Sequence, residues 1–223
     1  MNGRYVPDRL LGKKDDSGYS AILIFVLVLA ILLSLYNYFF AVIRVSGPSM
    51  LDTLEDKQFV LFRTNAITVK RSDIVTLTPS GYDKTLIKRV IAVENDRLMF
   101  MYSADGNDVE LYLCKSGENS YSLLDEPYIR QKMSRNAEYH DVNIAPYSEN
   151  ADEKPYSYFD DYSIHIPEDH FYFLGDNRNI SQDSRFYGTQ STDRIIGKAY
   201  KFIKRGGFFD KLLSFLYGLS NRE

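Results

Sequence analysis

Thr85 to Val93 reads TLIKRVIAV. β-Branched and aliphatic residues dominate it and the polar run Glu94-Asn95-Asp96 closes it, so the stretch is predicted to be a strand rather than part of a helix. A period of two places Leu86, Lys88, Val90 and Ala92 on one face and turns Arg89 to the other. An ammonium among apolar neighbours is costly to keep charged, so burial on that face lowers a lysine's pKa. Lys88 is therefore a candidate general base. A lysine snorkelling from a strand edge is the alternative that this stretch alone leaves open.

The same pattern recurs on either side. Gln58–Arg63 (QFVLFR), Asp73–Leu77 (DIVTL), His170–Leu174 (HFYFL) and Arg194–Ile203 (RIIGKAYKFI) are predicted strands bounded by turn residues. Leu98–Tyr102 and Val109–Leu113 flank SADGND, whose Asp-Gly pair signals a hairpin. No long helical period intervenes, so the fold class is mainly β, an antiparallel β-sheet domain. The stretch from Asn143 to Tyr162, rich in Asp, Glu, Ser and Tyr, is predicted to be a mobile surface excursion. In the tail Phe208–Leu219 (FFDKLLSFLYGL), Phe208, Phe209, Leu212, Leu213, Phe215, Leu216 and Leu219 share one arc of a helix, opposite Asp210, Lys211 and Ser214. That tail is too short to span a bilayer; it either lies in an interface or packs on its own domain.

The chain has 223 residues and a net charge of −3, which gives no basic footprint for nucleic acid. Cys114 is the sole cysteine, which excludes an intrachain disulfide and a cysteine metal cluster and predicts a packed, inert thiol. His140, His165 and His170 fit no catalytic or metal-ligand pattern and are assigned to surface or packing. Ala21–Ile43 runs 23 residues without a charge. As a helix it reaches about 34 Å, enough for a hydrocarbon core of about 30 Å. Tyr36, Tyr38, Phe39 and Phe40 crowd one end, as an interfacial aromatic belt would. A cleaved leader has a much shorter apolar region, so the segment is predicted to be one transmembrane helix. Arg4, Arg9, Lys13 and Lys14 precede it and Arg44, Lys57 and Arg63 follow, a bias that places the N-terminal end in the cytoplasm. The predicted organisation is a cytoplasmic segment (residues 1–18), an anchor (19–43), a β domain (44–205) with an insertion over about 97–168, and the amphipathic tail (206–223).

Two further stretches carry chemistry. VSGPSMLDTL, Val45–Leu54, sets Ser49 between a proline and a methionine just past the anchor. GDNRNISQDSRFYG, Gly175–Gly188, is a polar loop in which Asp183 and Arg185 can pair and Ser181 and Ser184 offer hydroxyls.

Taken with the Lys88 strand, these stretches resemble the motif blocks of the type I signal peptidases, membrane-anchored Ser-Lys proteases. The first block is met by Gly47-Pro48-Ser49-Met50 with Thr53-Leu54, the second by Lys88-Arg89-Val90, and the third at every fixed position from Gly175 to Gly188. Arg71-Ser72-Asp73-Ile74-Val75 echoes a further short block. The resemblance implies that Ser49 is the nucleophile, Lys88 the general base and Ser181 the hydroxyl that orients the lysine. It implies a structural ion pair of Asp183 with Arg185, and Met50 on the wall of the substrate cleft. It places Gly47 where some members carry a serine oxyanion donor, so the second donor is unassigned beside the Ser49 N–H. It implies an enzyme without metal or other cofactor that removes signal peptides from exported preproteins after small residues. The enzyme would be single-pass in a bacterial cytoplasmic membrane, its catalytic domain extracytoplasmic. Its partners would be preproteins and the lipid bilayer, with the oligomeric state left open.

Two positions depart from the pattern: Asp52 replaces a proline, and Glu94-Asn95-Asp96 replaces a Pro-Gly-Asp turn. The remaining alternatives are a Ser-Lys membrane protease dedicated to one substrate, of the pilin-maturation or conjugation kind, and an inactive membrane-tethered paralogue. A self-cleaving Ser-Lys regulator would need a DNA-binding module where this chain has an apolar run. Ser49 lies six residues past Ile43, so the chain holds its Cα within about 20 Å of the end of that run.

Overall fold

The structure is a computed structural model describing residues 17–51, 53–65, 67–137 and 142–220. The basic residues before the apolar segment, Asp52 and His140 lie outside the described residues. The chain forms two units, divided after Phe39.

The first unit is α1, Ser17–Phe39. From Tyr19 to Phe39 it is long and apolar enough to cross a membrane, and none of it is buried within the protein. Phe40 to Ile43, assigned above to the anchor, are not helical. They belong to β1, Phe40–Arg44, which pairs antiparallel with β2, Phe59–Arg63. Apolar composition cannot separate the end of a membrane helix from the start of a buried strand; the partner FVLFR, offering a full ladder, decides it.

The second unit continues with β3 (Ile74–Leu77), β4 (Leu86–Val93), β5 (Arg97–Tyr102), β6 (Asp108–Cys114), β7 (Ser122–Leu123), β8 (Met133–Ser134) and β9 (Ile144–Ala145). Then come β10 (Ser163–His165), β11 (His170–Leu174), α2 (Ser184–Tyr187), β12 (Gln190–Ser191), β13 (Ile195–Phe202) and α3 (Phe208–Ser220). One sheet runs β1-β2-β13-β3-β4-β11-β12, and β10-β5-β6-β7 form a second, to which β8 and β9 add. The pairings are antiparallel except for β5 with β9.

The stretch 97–168 builds the second sheet, and it does not fold apart from the first. Leu98, Phe100, Leu111 and Leu113 of the second sheet share one core with Ile91, Ala92, Tyr172 and Leu174 of the first. The strand alternation predicted for β4 fails at its end. The ladder with β11 slips by one residue, Val90 opposing Phe173 and Ala92 opposing Tyr172, which leaves Ile91 bulged. Leu86 and Val90 pack with Val75, Phe171 and Phe173, whereas Ala92 crosses to the core between the sheets.

The excursion predicted over 143–162 is corrected as well. Two short 3-10 turns, Ala151–Glu153 and Tyr156–Tyr162, fold this segment against the outer side of the second sheet. Ala145, Ala151 and Phe159 are buried there against Met99, Met101, Cys114 and Tyr121. Three small or aromatic side chains hold an otherwise polar run. Cys114 is buried, with its Sγ 3.3 Å from the Glu118 carbonyl oxygen, and burial pushes its thiol pKa up.

Candidate active site

The loop after β1 turns sharply. Gly47 adopts φ 90°, a left-handed conformation, and its N–H donates to Asp56 Oδ1 at 2.9 Å. The N–H groups of Leu51 and Leu54 then close turns onto the Pro48 and Met50 carbonyls. Met50 anchors this turn: it is 1% exposed and packs with Val45, Leu54, Val60, Phe62 and Ile74. The buried thioether explains a methionine at that position. It pins the backbone one residue beyond Ser49, which stays half-buried on the wall of a cleft of about 680 Å³.

Lys88 reaches that cleft from the middle of β4. Its side chain is almost wholly buried, and Nζ donates to Ser181 Oγ at 2.9 Å. Burial pushes the ammonium down to about 8 from its ordinary 10.5, with nearby Asp183 opposing the shift and Arg185 adding to it. At neutral pH this raises the fraction of free amine by about 300-fold over an ordinary lysine.

Ser49 and Ser181 are drawn together across Gly175, at the end of β11. A Cβ on Gly175 would lie 2.1 Å from Ser181 Oγ and 2.5 Å from the Ser49 carbonyl oxygen. No side chain fits between them. The Asn177 N–H donates to that same Ser49 carbonyl at 3.1 Å, and Asn177 Nδ2 reaches the Pro48 carbonyl at 3.3 Å.

Two buried ion pairs hold the loop. Asp183 takes Arg185 in a fork, with Nε at 2.8 Å and Nη2 at 2.9 Å, and also accepts the Gly175 N–H at 3.0 Å. Arg185 Nη2 in turn donates to the Ser181 carbonyl at 3.2 Å. Asp176 takes Arg89 in a second fork, at 2.8 and 2.7 Å, while Arg89 Nη1 donates to the Ser72 carbonyl at 2.9 Å. Thr53 Oγ1 donates to Asp176 at 2.5 Å. The loop of Ser49, the strand of Lys88 and the loop of Ser181 thus meet at one buried node.

A half-buried serine on a pinned turn, sharing a cleft with a buried amine of lowered pKa that bonds a second serine, can carry acyl transfer. The model of the family described as signal peptidase, peptidase S26, matches residues 19–203. The chain belongs to this family. Signal peptidase I of Bacillus amyloliquefaciens is 30% identical over 201 residues, covering 86% of this chain and 92% of its own. Signal peptidase I of Streptococcus pneumoniae serotype 4 is 29% identical over 181 residues, covering 79% and 88%. A crystal structure of a signal peptidase I from Enterococcus faecalis V583 matches 59% of this chain and 97% of its own at 21% identity, with a TM-score of 0.38. This member of the signal peptidase family is a serine endopeptidase acting on exported preproteins.

The structure brings together most of the site residues named from the sequence. Ser49, Met50, Lys88, Ser181, Arg185 and Gly47 line the one cleft, and Asp183 lies buried beneath it. The N–H of Gly47 donates to Asp56 Oδ1, and a glycine offers no hydroxyl there as a second oxyanion donor. His165 and His170 sit on β10 and β11 and take no part in lining the cleft.

The sequence reading missed the Arg89–Asp176–Thr53 node, although all three residues stand inside the quoted blocks. It also missed Glu126, whose carboxylate pairs with the buried Arg178, and Tyr128, whose ring lies 3.8 Å from the Arg89 guanidinium. No signal in the sequence ties residues 126–128 to the site. In the departing turn Asn95 adopts φ 63°, a left-handed conformation that asparagine tolerates, and Asp96 is buried and paired with Arg71. Ser72, at φ 69°, likewise holds a left-handed position within the Arg71–Val75 block.

Proposed function

We propose that Ser49 is the nucleophile of this signal peptidase and Lys88 its general base. The neutral Lys88 amine takes the proton from Ser49 Oγ as that oxygen attacks the scissile carbonyl. The resulting oxyanion faces the Ser49 backbone N–H. Lys88, now an ammonium, protonates the departing amine, and the acyl-enzyme remains. The same amine then deprotonates the water that releases the acyl group. Ser181 holds Nζ in place throughout, and the Asp183–Arg185 pair holds Ser181. The observation that carries this reading is the bond from a nearly fully buried Lys88 Nζ to Ser181 Oγ, in the cleft that Ser49 also lines.

The apolar walls supplied by Ile43, Val45 and Leu86 suit small, uncharged residues before the cleaved bond. In this reading α1 crosses a bacterial cytoplasmic membrane once, with the catalytic domain extracytoplasmic. The short chain from α1 to Ser49 keeps the nucleophile near the surface where an anchored preprotein emerges, which raises their effective concentration.

The test is cleavage of a preprotein by the detergent-solubilised full chain. Ser49→Ala and Lys88→Ala are each expected to lose nearly all activity while keeping the β-sheet circular dichroism signal, because the members of one catalytic unit fail together. Substantial cleavage by either variant would remove that residue from the mechanism.

A further inference from the structure

α3 does not bury the face that its sequence makes apolar. At 100° per residue, Phe208, Phe209, Leu212, Phe215, Leu216 and Leu219 fall within an arc of about 120°. Phe208 and Phe209 are 74% and 67% exposed, and Phe215 is 64% exposed. Leu212, Leu216 and Leu219 remain 41%, 49% and 51% exposed. The helix meets its own domain on a different side. Asp210 and Leu213 are its less exposed residues, and the Tyr217 ring lies 4.9 Å from the Arg44 guanidinium and 6.3 Å from the Phe59 ring. Domain packing therefore fixes the rotation of α3 and leaves the greasy arc outward.

The charges around this arc identify what covers it. Lys211 is exposed on the helix, and Lys201 and Lys204 are exposed in the chain that leads into it, where Arg205 pairs with Glu55. The one acidic residue of the helix, Asp210, is turned back onto the Gly206 N–H at 2.9 Å. The preceding strand adds Tyr200 and Phe202, 66% and 46% exposed. Phe40, the residue that directly follows α1 in the chain, sets its ring 5.4 Å from Tyr200. An apolar arc bordered by lysines suits a surface that is apolar inside and anionic at its rim. With 13 residues, α3 reaches only about 20 Å and cannot cross such a layer.

We infer that α3 is an interfacial helix, lying on an anionic lipid bilayer with Phe208, Phe209, Leu212, Phe215, Leu216 and Leu219 among the acyl chains. It forms a second membrane attachment beside α1, and it stands independently of the roles assigned to Ser49 and Lys88.

The chain contains no tryptophan, so one introduced indole reports alone. Phe215→Trp and, as a second reporter on the arc, Phe209→Trp are made in the full chain, with Ser214→Trp on the polar side. Each is reconstituted in vesicles of phosphatidylglycerol and brominated phosphatidylcholine, and preprotein cleavage confirms that each has folded. The expected result is a blue-shifted indole that loses most of its emission to the bromines at 215 and 209, with little loss at 214. Quenching should weaken in vesicles of brominated phosphatidylcholine alone. Red, unquenched emission on the arc would overturn the inference. A blue-shifted but unquenched indole would also overturn it, by showing that a protein surface, such as a second copy of the chain, covers the helix.

Discussion

Lys88, the proposed general base, shows how surroundings change the proton affinity of one residue. Its amine is buried almost completely, its hydrogen bond goes to Ser181, and its pKa falls to about 8. Since the neutral form is the base in the proposed mechanism, kcat/KM is expected to climb about tenfold per pH unit below that value and to level off above it. The measurement is preprotein cleavage across mildly acidic to alkaline pH; a flat profile, or a limb centred near the ordinary lysine value, would contradict a buried base. Gly175 is a second test at this scale. Its missing side chain leaves room for both the Ser49 carbonyl and the Ser181 hydroxyl close to its Cα. Gly175→Ala should cost about 100-fold or more in kcat, because displacing either serine misaligns the reacting groups. Kinetics on the folded variant check this, and near-normal turnover would show that the loop yields more easily than its packing implies.

At the scale of elements, the site is a junction of three chain segments clamped by buried charge. β4 supplies Lys88 and Arg89 on opposite faces, one to the chemistry and one to the clamp. Asp176 closes that clamp after β11, and Thr53 ties in the turn that carries Ser49. Removing one partner from a buried ion pair leaves the other charge stranded, at a cost of about 3–5 kcal/mol. Asp176→Ala is therefore expected to lower the midpoint of thermal or denaturant unfolding sharply, with Arg89 left unneutralised beneath the cleft. A variant as stable as the parent would mean that water reaches Arg89. The bulge at Ile91 belongs to the same logic. By shifting the phase of β4 after Lys88, it lets one strand serve the cleft side at its start and the core between the sheets at its end.

For the whole molecule, the proposed catalytic groups lie on β4 and on loops that leave the first sheet, and the stretch that builds the second sheet braces them through Glu126, Tyr128, Lys132 and Ser134. Asn179 accepts the Ser134 N–H at 2.8 Å and donates to the Lys132 carbonyl at 3.2 Å. The proposed topology makes a prediction at this scale. Protease added outside spheroplasts should digest the chain beyond about Ser46 and spare the N-terminal segment. Protection of the β domain would reverse the orientation and rule out encounter with emerging preproteins.

The identity of the chemistry was legible in short, contiguous stretches, because a nucleophile on a turn, a lysine on an apolar strand and a Gly-Asp loop are local patterns. The longer strands β2 to β6, β11 and β13 were legible too, apart from their ends, since period-two alternation is set by neighbours in the chain, whereas the two- and three-residue strands β7 to β10 and β12 are too short to show it. Other features needed the third dimension. The helix stops at Phe39 because Phe40–Arg44 finds a partner in β2, some fifteen residues on, which no local pattern announces. Asn143–Tyr162 looks like loop by composition, yet Ala145, Ala151 and Phe159 fill a core whose other half comes from β5 and β6. Glu126 and Tyr128 join the site only because the second sheet folds over the first. The sequence by itself determined the family to which the chain belongs and the longer strands of its β domain. Tertiary structure alone decided how deeply Lys88 is buried, and so its pKa, because desolvation depends on neighbours far apart in the chain.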